Sequence, residues 1–233
     1  MSSPLDLTVV DVDGAVREAE EAVATDTRAQ FFRKAAVSGG AIGSAAFFTG
    51  MLPAGAEAKP SKKQDIKILK FALTLELLEA EFYELAVRDG GLNGPSLDAA
   101  RLLADHEATH VQALKKTLRS LGARVPAKPT FDFKGSNQGE NFLPTAFTLE
   151  NTGVRAYLGQ AGRLKSKALL AAAATIATVE ARHSAAIAVL VNNNAFGDGN
   201  VSKDSITPSG AFDKASSMRQ ILGEVRATGF ITS

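Results

Sequence analysis

With 233 residues, 45% of them apolar, the chain can fill one well-packed domain and still carry an appendage. A formal net charge of +1, with no basic run carrying interleaved aromatics, leaves no electrostatic footprint for nucleic acid. Cysteine is absent, which excludes disulfides, thiolate metal sites and cysteine nucleophiles.

Residues 1–27 are acidic and weakly patterned, and read as a disordered or weakly helical lead. Thr27-Arg28-Ala29-Gln30-Phe31-Phe32-Arg33-Lys34 then precedes a Gly/Ala-rich apolar run from Ala35 to Leu52, followed by Pro53 and the small residues Ala54 to Ala58. A basic patch, a mildly apolar stretch and small residues at A-x-A spacing form a secretory pattern rather than a stable membrane span. It is similar to a twin-arginine export signal, with Ala29 standing where the second arginine of that signal would be. Residues 1–58 are therefore expected to be a leader ahead of a domain at 59–233. The resemblance implies export to the periplasm or cell envelope, or a cytoplasmic protein if the signal is inactive. The other reading of the apolar run is a glycine-rich interfacial or buried helix.

The first core helix is predicted to start near Ser61, which forms a capping box with Gln64, and to stop at Gly90-Gly91. The second runs from about Ser96 to Gly122. Pro126, Pro129, Gly135 and Gly139 make residues 124–141 a long crossover, in which alternating Phe131 and Phe133 suggest an extended strip along the bundle. A third helix is expected from about Pro144 to Gly162, and a fourth from Ser166 to Asn192-Asn193-Asn194. The small, apolar stretch Ala168 to Ala177 marks that fourth helix as either the most buried or an interface helix. Gly197-Asp198-Gly199-Asn200 is a turn that lacks the ligands of a calcium loop. Met218, Ile221, Leu222 and Val225 predict a short amphipathic helix capping the bundle.

Chemistry concentrates in one pattern that occurs twice, Glu107-x-x-His110 and Glu180-x-x-His183. Residues three apart share a helix face, and both pairs sit among apolar neighbours: Leu103, Val111 and Leu114 for the first, Ile176 and Ile187 for the second. Glu76 and Glu150 lie on apolar stripes of the helices before them, each with a tyrosine two turns on, Tyr83 and Tyr157. Glu76 to Glu107 spans 31 residues and Glu150 to Glu180 spans 30, so a helix pair is duplicated. Four carboxylates and two imidazoles then converge in one core, the donor set of di-iron and di-manganese carboxylate bundles. Buried carboxylates are expensive unless paired or metal-bound, and oxygen and nitrogen donors without sulfur suit iron or manganese. Glu81 and Glu84 read as a solvated face, and Glu79 as either an alternative ligand or a supporting partner. Tyr83 and Tyr157 read as core aromatics or as hydrogen-bond donors to a carboxylate across the bundle. His106 points about 100° from Glu107 on a helix and reads as a surface residue.

Over residues 62–230 the chain resembles the ferritin-like superfamily, and within it the exported ferritin-like proteins related to plant desiccation-associated proteins. The segments that carry the resemblance are Leu75 to Tyr83, His106-Glu107-Ala108-Thr109-His110, Leu149 to Val154 with Tyr157, and Val179 to His183. It implies an all-α, ferritin-like four-helix bundle with a long crossover between helices two and three and a short C-terminal helix. It further implies two iron ions, or manganese, with Glu76 and Glu150 as terminal ligands, Glu107 and Glu180 as bridges, and His110 and His183 on one metal each. Tyr83, Tyr157 and Glu79 would support those ligands. The implied activity is oxidation of Fe(II) by dioxygen or peroxide. The alternatives are manganese-type dismutation of peroxide, or a non-catalytic envelope protein for stress or desiccation with a structural or vestigial site. Metal ions and dioxygen or peroxide are the implied partners, with a homo-oligomer compatible.

Overall fold

The computed structural model describes residues 61–191 and 212–232. The leader calls, the Asn192–Asn194 helix end and the turn at 197–200 lie outside the described residues.

Four long helices form the domain: α1 (Lys62–Asp89), α2 (Gly94–Ser120), α3 (Phe142–Ala161) and α4 (Lys167–Val191). A shorter α5 (Met218–Thr228) follows, and there is no strand among the described residues. α1 begins where Ser61 accepts a hydrogen bond from the Gln64 amide at 3.2 Å. α2 starts two residues earlier than expected, with Pro95 in its first turn, where a missing N–H costs nothing. α3 begins at Phe142, ahead of Pro144, because a single 3-10 turn at Gly139–Asn141 leads into it.

α1 packs chiefly on α2 and α3 chiefly on α4, with lesser contacts from α1 to α3 and from α2 to α4. The crossover between α2 and α3 therefore joins helices that are diagonal in the bundle. Its middle is tied down on both sides. Phe131 forms an isolated antiparallel bridge with Ile231, flanked by hydrogen bonds from the Asp132 amide to the Phe230 carbonyl at 2.8 Å and from the Thr232 amide to Thr130 at 2.9 Å. Phe133 is buried, its ring edge-on to Phe82 at 5.3 Å and to Phe230 at 5.2 Å. The extended strip predicted from the Phe131/Phe133 alternation is present, and the C-terminal tail pairs with it.

Two ties hold the helix ends together. Asp65 in α1, buried, accepts from the amides of Lys165 at 2.7 Å and Ser166 at 3.2 Å, which joins the start of α1 to the α3–α4 turn. α5 carries a full capping box between Ser217 and Gln220, buries Ile221 and Val225, and lies against α3, where Arg155 meets Glu224 at 2.6 Å.

The expectation of α4 as the most buried helix is corrected. In its Ala168–Ala177 stretch Ile176 alone is buried, while Ala168, Ala171, Ala172, Ala174 and Leu170 are exposed. α1 and α3 each bury more residues. Its alanines line the outer face of the bundle while Ile176 turns inward, so the interface reading of the stretch is left standing. By length and composition α4 could cross a membrane, yet it delivers Glu180 and His183 into the same core as the other three helices.

Candidate metal centre

On α2, Leu103 and Leu114 bracket Glu107 and His110; on α4, Ile176 and Ile187 bracket Glu180 and His183. The polar layer is thus built into the apolar stripe by the helical period and closed above and below by hydrocarbon. Glu76, Glu107, Glu150 and Glu180 are all 0% exposed, and His110 and His183 are buried beside them. All six residues read from the sequence face one another.

They form two groups. Glu76, Glu107, His110 and Glu180 each offer one ligand atom within a 4.8 Å sphere of mutual distances, and so do Glu107, Glu150, Glu180 and His183. Glu107 and Glu180 belong to both. Around His110 Nδ1 lie Glu76 Oε2 at 3.1 Å, Glu107 Oε2 at 3.1 Å and Glu180 Oε1 at 3.4 Å. Around His183 Nδ1 lie Glu107 Oε1 at 3.1 Å and Glu150 Oε2 at 3.2 Å. One ring nitrogen carries at most one proton, so it cannot serve three carboxylates. Glu107 Oε1 and both oxygens of Glu180 accordingly have no hydrogen-bond partner, although Glu107 Oε1 is close to His183; the contact is short but out of line for a hydrogen bond. Lone pairs that converge on two points without donors to satisfy them are the arrangement a cation completes.

The tyrosines act across the bundle. Tyr83, on α1, donates to Glu150 on α3 at 2.5 Å, and Tyr157, on α3, donates to Glu76 on α1. Burial, followed by the neighbouring carboxylates, pushes both phenols well above their ordinary range, so each keeps its proton to donate. The duplicated Glu-Tyr spacing becomes a reciprocal pair of bonds. The core-aromatic reading of these residues also holds, since both rings pack into the apolar clusters on either side.

Glu79 is buried at 3% exposure with Oε2 unpartnered, and burial plus the charge of Glu180 raises its carboxyl well above the ordinary range. A Cβ built on Gly153 would run into the Glu180 carboxylate and touch Glu79, so the glycine on α3 leaves the space that these two side chains occupy. Glu84 is exposed, while half-buried Glu81 pairs with Lys128, as a solvated face allows.

The surface assignment of His106 is corrected. It is half-buried, its Nδ1 lies 2.9 Å from His183 Nε2, and the two rings stack with centroids 5.1 Å apart. Its angle to Glu107 misdirected the reading; its i, i+4 relation to His110, about 40° round the helix, was the available signal. α2 leans against α4, and that brings this side of the helix over His183.

The charge state without metal follows from these contacts. Burial pushes Glu76 up from 4.5 to about 8 and raises Glu150 and Glu180 as well. Burial opposes ionisation of Glu107 too, but the imidazoles of His110 and His183 beside it outweigh that and hold the carboxyl at about 2. Burial likewise disfavours the imidazolium ions, yet the surrounding carboxylates of Glu107, Glu180 and Glu76 lift His110 to about 12, and those of Glu107 and Glu150 lift His183 to about 9. Protons fill the positions where cations would otherwise balance the carboxylates.

Residues 64–193, more than half of the chain, match the ferritin-like domain family. The chain belongs to that family. No curated protein matches it. For this ferritin-like protein the bundle and the buried Glu/His cluster agree: an all-α fold whose core layer could hold metal ions. The donor set of four carboxylates and two imidazoles, with unpaired buried oxygens, fits such ions on its own geometry.

Proposed function

We propose that the protein binds two iron ions and oxidises Fe(II) with dioxygen or peroxide. One observation carries this reading: Glu107 and Glu180 contribute to both ligand groups, while Glu76 and His110 belong to one and Glu150 and His183 to the other. Two ions with two shared carboxylates fit that division. The four carboxylates and two neutral imidazoles would balance two divalent charges. Bound iron would supply the electron transfer to the oxidant; the protein supplies geometry and a water-poor core.

The chain's own groups have separate tasks. Tyr83 and Tyr157 hold the outer oxygens of Glu150 and Glu76, which leaves the inner oxygens facing the histidines. On metal binding His183 would turn the Nδ1 lone pair inward and donate its Nε2 proton to His106 Nδ1, fixing the tautomer. Glu79, neutral beside Glu180, would hold a proton next to the centre without adding a fifth charge. Manganese suits the same donors, with peroxide dismutation as the corresponding activity. Export to the periplasm or cell envelope is the setting we propose from the leader's residues; mature protein beginning near Lys59 is the expected finding, and Met1 or Ser2 retained in the cell's whole pool overturns it.

Elemental analysis of protein purified from its native host should return close to two iron atoms per chain, and the metal-free protein given Fe(II) should consume oxygen. Less than one transition-metal atom per chain, with no oxygen uptake on Fe(II) addition, overturns the reading. Two manganese atoms with peroxide disproportionation would transfer it to the manganese chemistry.

A further inference from the structure

One to two helical turns from the carboxylate layer the bundle encloses a cavity of about 130 Å³. Leu69 of α1, Leu114 of α2, Tyr157 and Gln160 of α3, and Ala172 and Ile176 of α4 are among its walls. An apolar cavity of about 150 Å³ in another protein takes up benzene, so this one has room for a single ring. Thr117 and Thr175 also line it, but their hydroxyls donate to carbonyls of their own helices, Ala113 and Ala172. Gln160 is 3% exposed, and neither its carboxamide oxygen nor its nitrogen has a hydrogen-bond partner. An amide buried without partners is costly to keep, and where it lines a cavity wide enough for a ring it marks a place where a partner is brought from outside.

The wall also communicates with the centre. The Tyr157 ring faces the cavity while its hydroxyl donates to Glu76. Exposed Ala113, Ala172 and Thr175 at the α2–α4 seam give a way in from solvent.

We propose that this cavity binds a small neutral organic molecule, with an apolar body the size of one aromatic ring and one hydroxyl or amide group that pairs with Gln160. The binding itself is independent of the metal; a role for the bound molecule in the chemistry of the centre rests on the di-metal reading.

Phenol and toluene test this directly, because they share a shape and differ by a hydroxyl against a methyl. Titration calorimetry would use the full chain both as purified and after metal removal, so that coordination of phenol to metal is separated from binding in the cavity. Phenol should bind the metal-free parent at least as tightly as toluene, although water solvates phenol better. Gln160→Leu should weaken phenol at least tenfold and change toluene less than threefold. Ala173→Phe, which fills the cavity from α4, should abolish both. Toluene binding without phenol binding in the parent overturns the proposal and leaves an apolar void; so does absence of both ligands, or equal phenol affinity in a folded Gln160→Leu variant. Should that variant fail to fold, the phenol-to-toluene ratio of the parent decides alone. None of these outcomes depends on metal stoichiometry, so failure here is distinct from failure of the di-metal reading.

Discussion

Glu107 and Glu180 are the residues at which the metal reading and a purely structural one diverge most. Both are 0% exposed, and three of their four carboxylate oxygens lack a hydrogen-bond partner. Replacing both by Gln keeps volume and removes two charges from a crowded core. If they are ligands, the Glu107→Gln/Glu180→Gln protein should bind little iron and take up no oxygen. Its metal-free form should melt as high as the metal-free parent or higher, because the carboxylates repel one another. A variant that melts clearly lower, in a parent indifferent to Fe(II) and Mn(II), rejects the assignment. His106 gives a second test. It touches His183 rather than any carboxylate, so on the di-metal reading it would position a ligand. His106→Ala should weaken metal binding about tenfold, in keeping with the roughly 10–100-fold cost of losing such partners, and leave the metal-free melting temperature nearly unchanged. His106→Gln, which retains an acceptor, should recover part of the affinity; equal metal affinity in all three proteins would show that the stacking is incidental.

The elements that frame the layer depend on the crossover. Joining diagonal helices requires a long connection, and this one is anchored by Phe133 against Phe82 and Phe230 and by the pairing of residues 130–132 with 230–232. Phe133 is 3% exposed, so Phe133→Ala should destabilise the domain by about 3–5 kcal/mol, the usual cost of truncating a buried phenylalanine. Chemical denaturation would measure it, and a loss under about 1 kcal/mol would mean that the crossover rides on the bundle without stabilising it. At the same scale α4 is unlike its partners. Glu180 and His183 secure one face in the core, while its alanines leave the other face bare.

For the whole molecule, the proton inventory of the metal-free core sets how stability responds to pH. Burial raises Glu76 from 4.5 to about 8, so the folded state holds a proton that the unfolded chain releases; this contribution is full below 4.5 and lost as pH rises through about 8. Burial works against the His183 imidazolium, but the neighbouring carboxylates of Glu107 and Glu150 raise it from 6.5 to about 9, so its contribution is full below 6.5 and lost through about 9. Glu107 works in the opposite direction, held at about 2, and weakens the fold only as pH falls below 4.5. The metal-free protein should therefore lose thermal stability between pH 6.5 and 9. Metal competes for the same sites as these protons, so the stabilisation conferred by added Fe(II) or Mn(II) should widen over that range. Melting curves at fixed excess metal across this pH series would show a constant gap if the ions bind elsewhere.

The sequence by itself determined which residues meet the core. Helical periodicity converts spacing into a face, and four glutamates and two histidines on apolar stripes, repeated at 31 and 30 residues, could be placed without coordinates. The helices, the crossover and the C-terminal helix follow from the same periodicity and from Gly and Pro punctuation. What needed the tertiary structure depends on which helices are neighbours and in what register. Tyr83 reaches Glu150 and Tyr157 reaches Glu76 only because α1 and α3 lie side by side. Glu79, left open by its angle from Glu76, has room beside Glu180 only because the facing helix carries Gly153 there. His106 joins the layer through α4, and the cavity beside Gln160 exists only where four helices meet. A helix carries its own face in its sequence, but a face does not specify what it will be packed against.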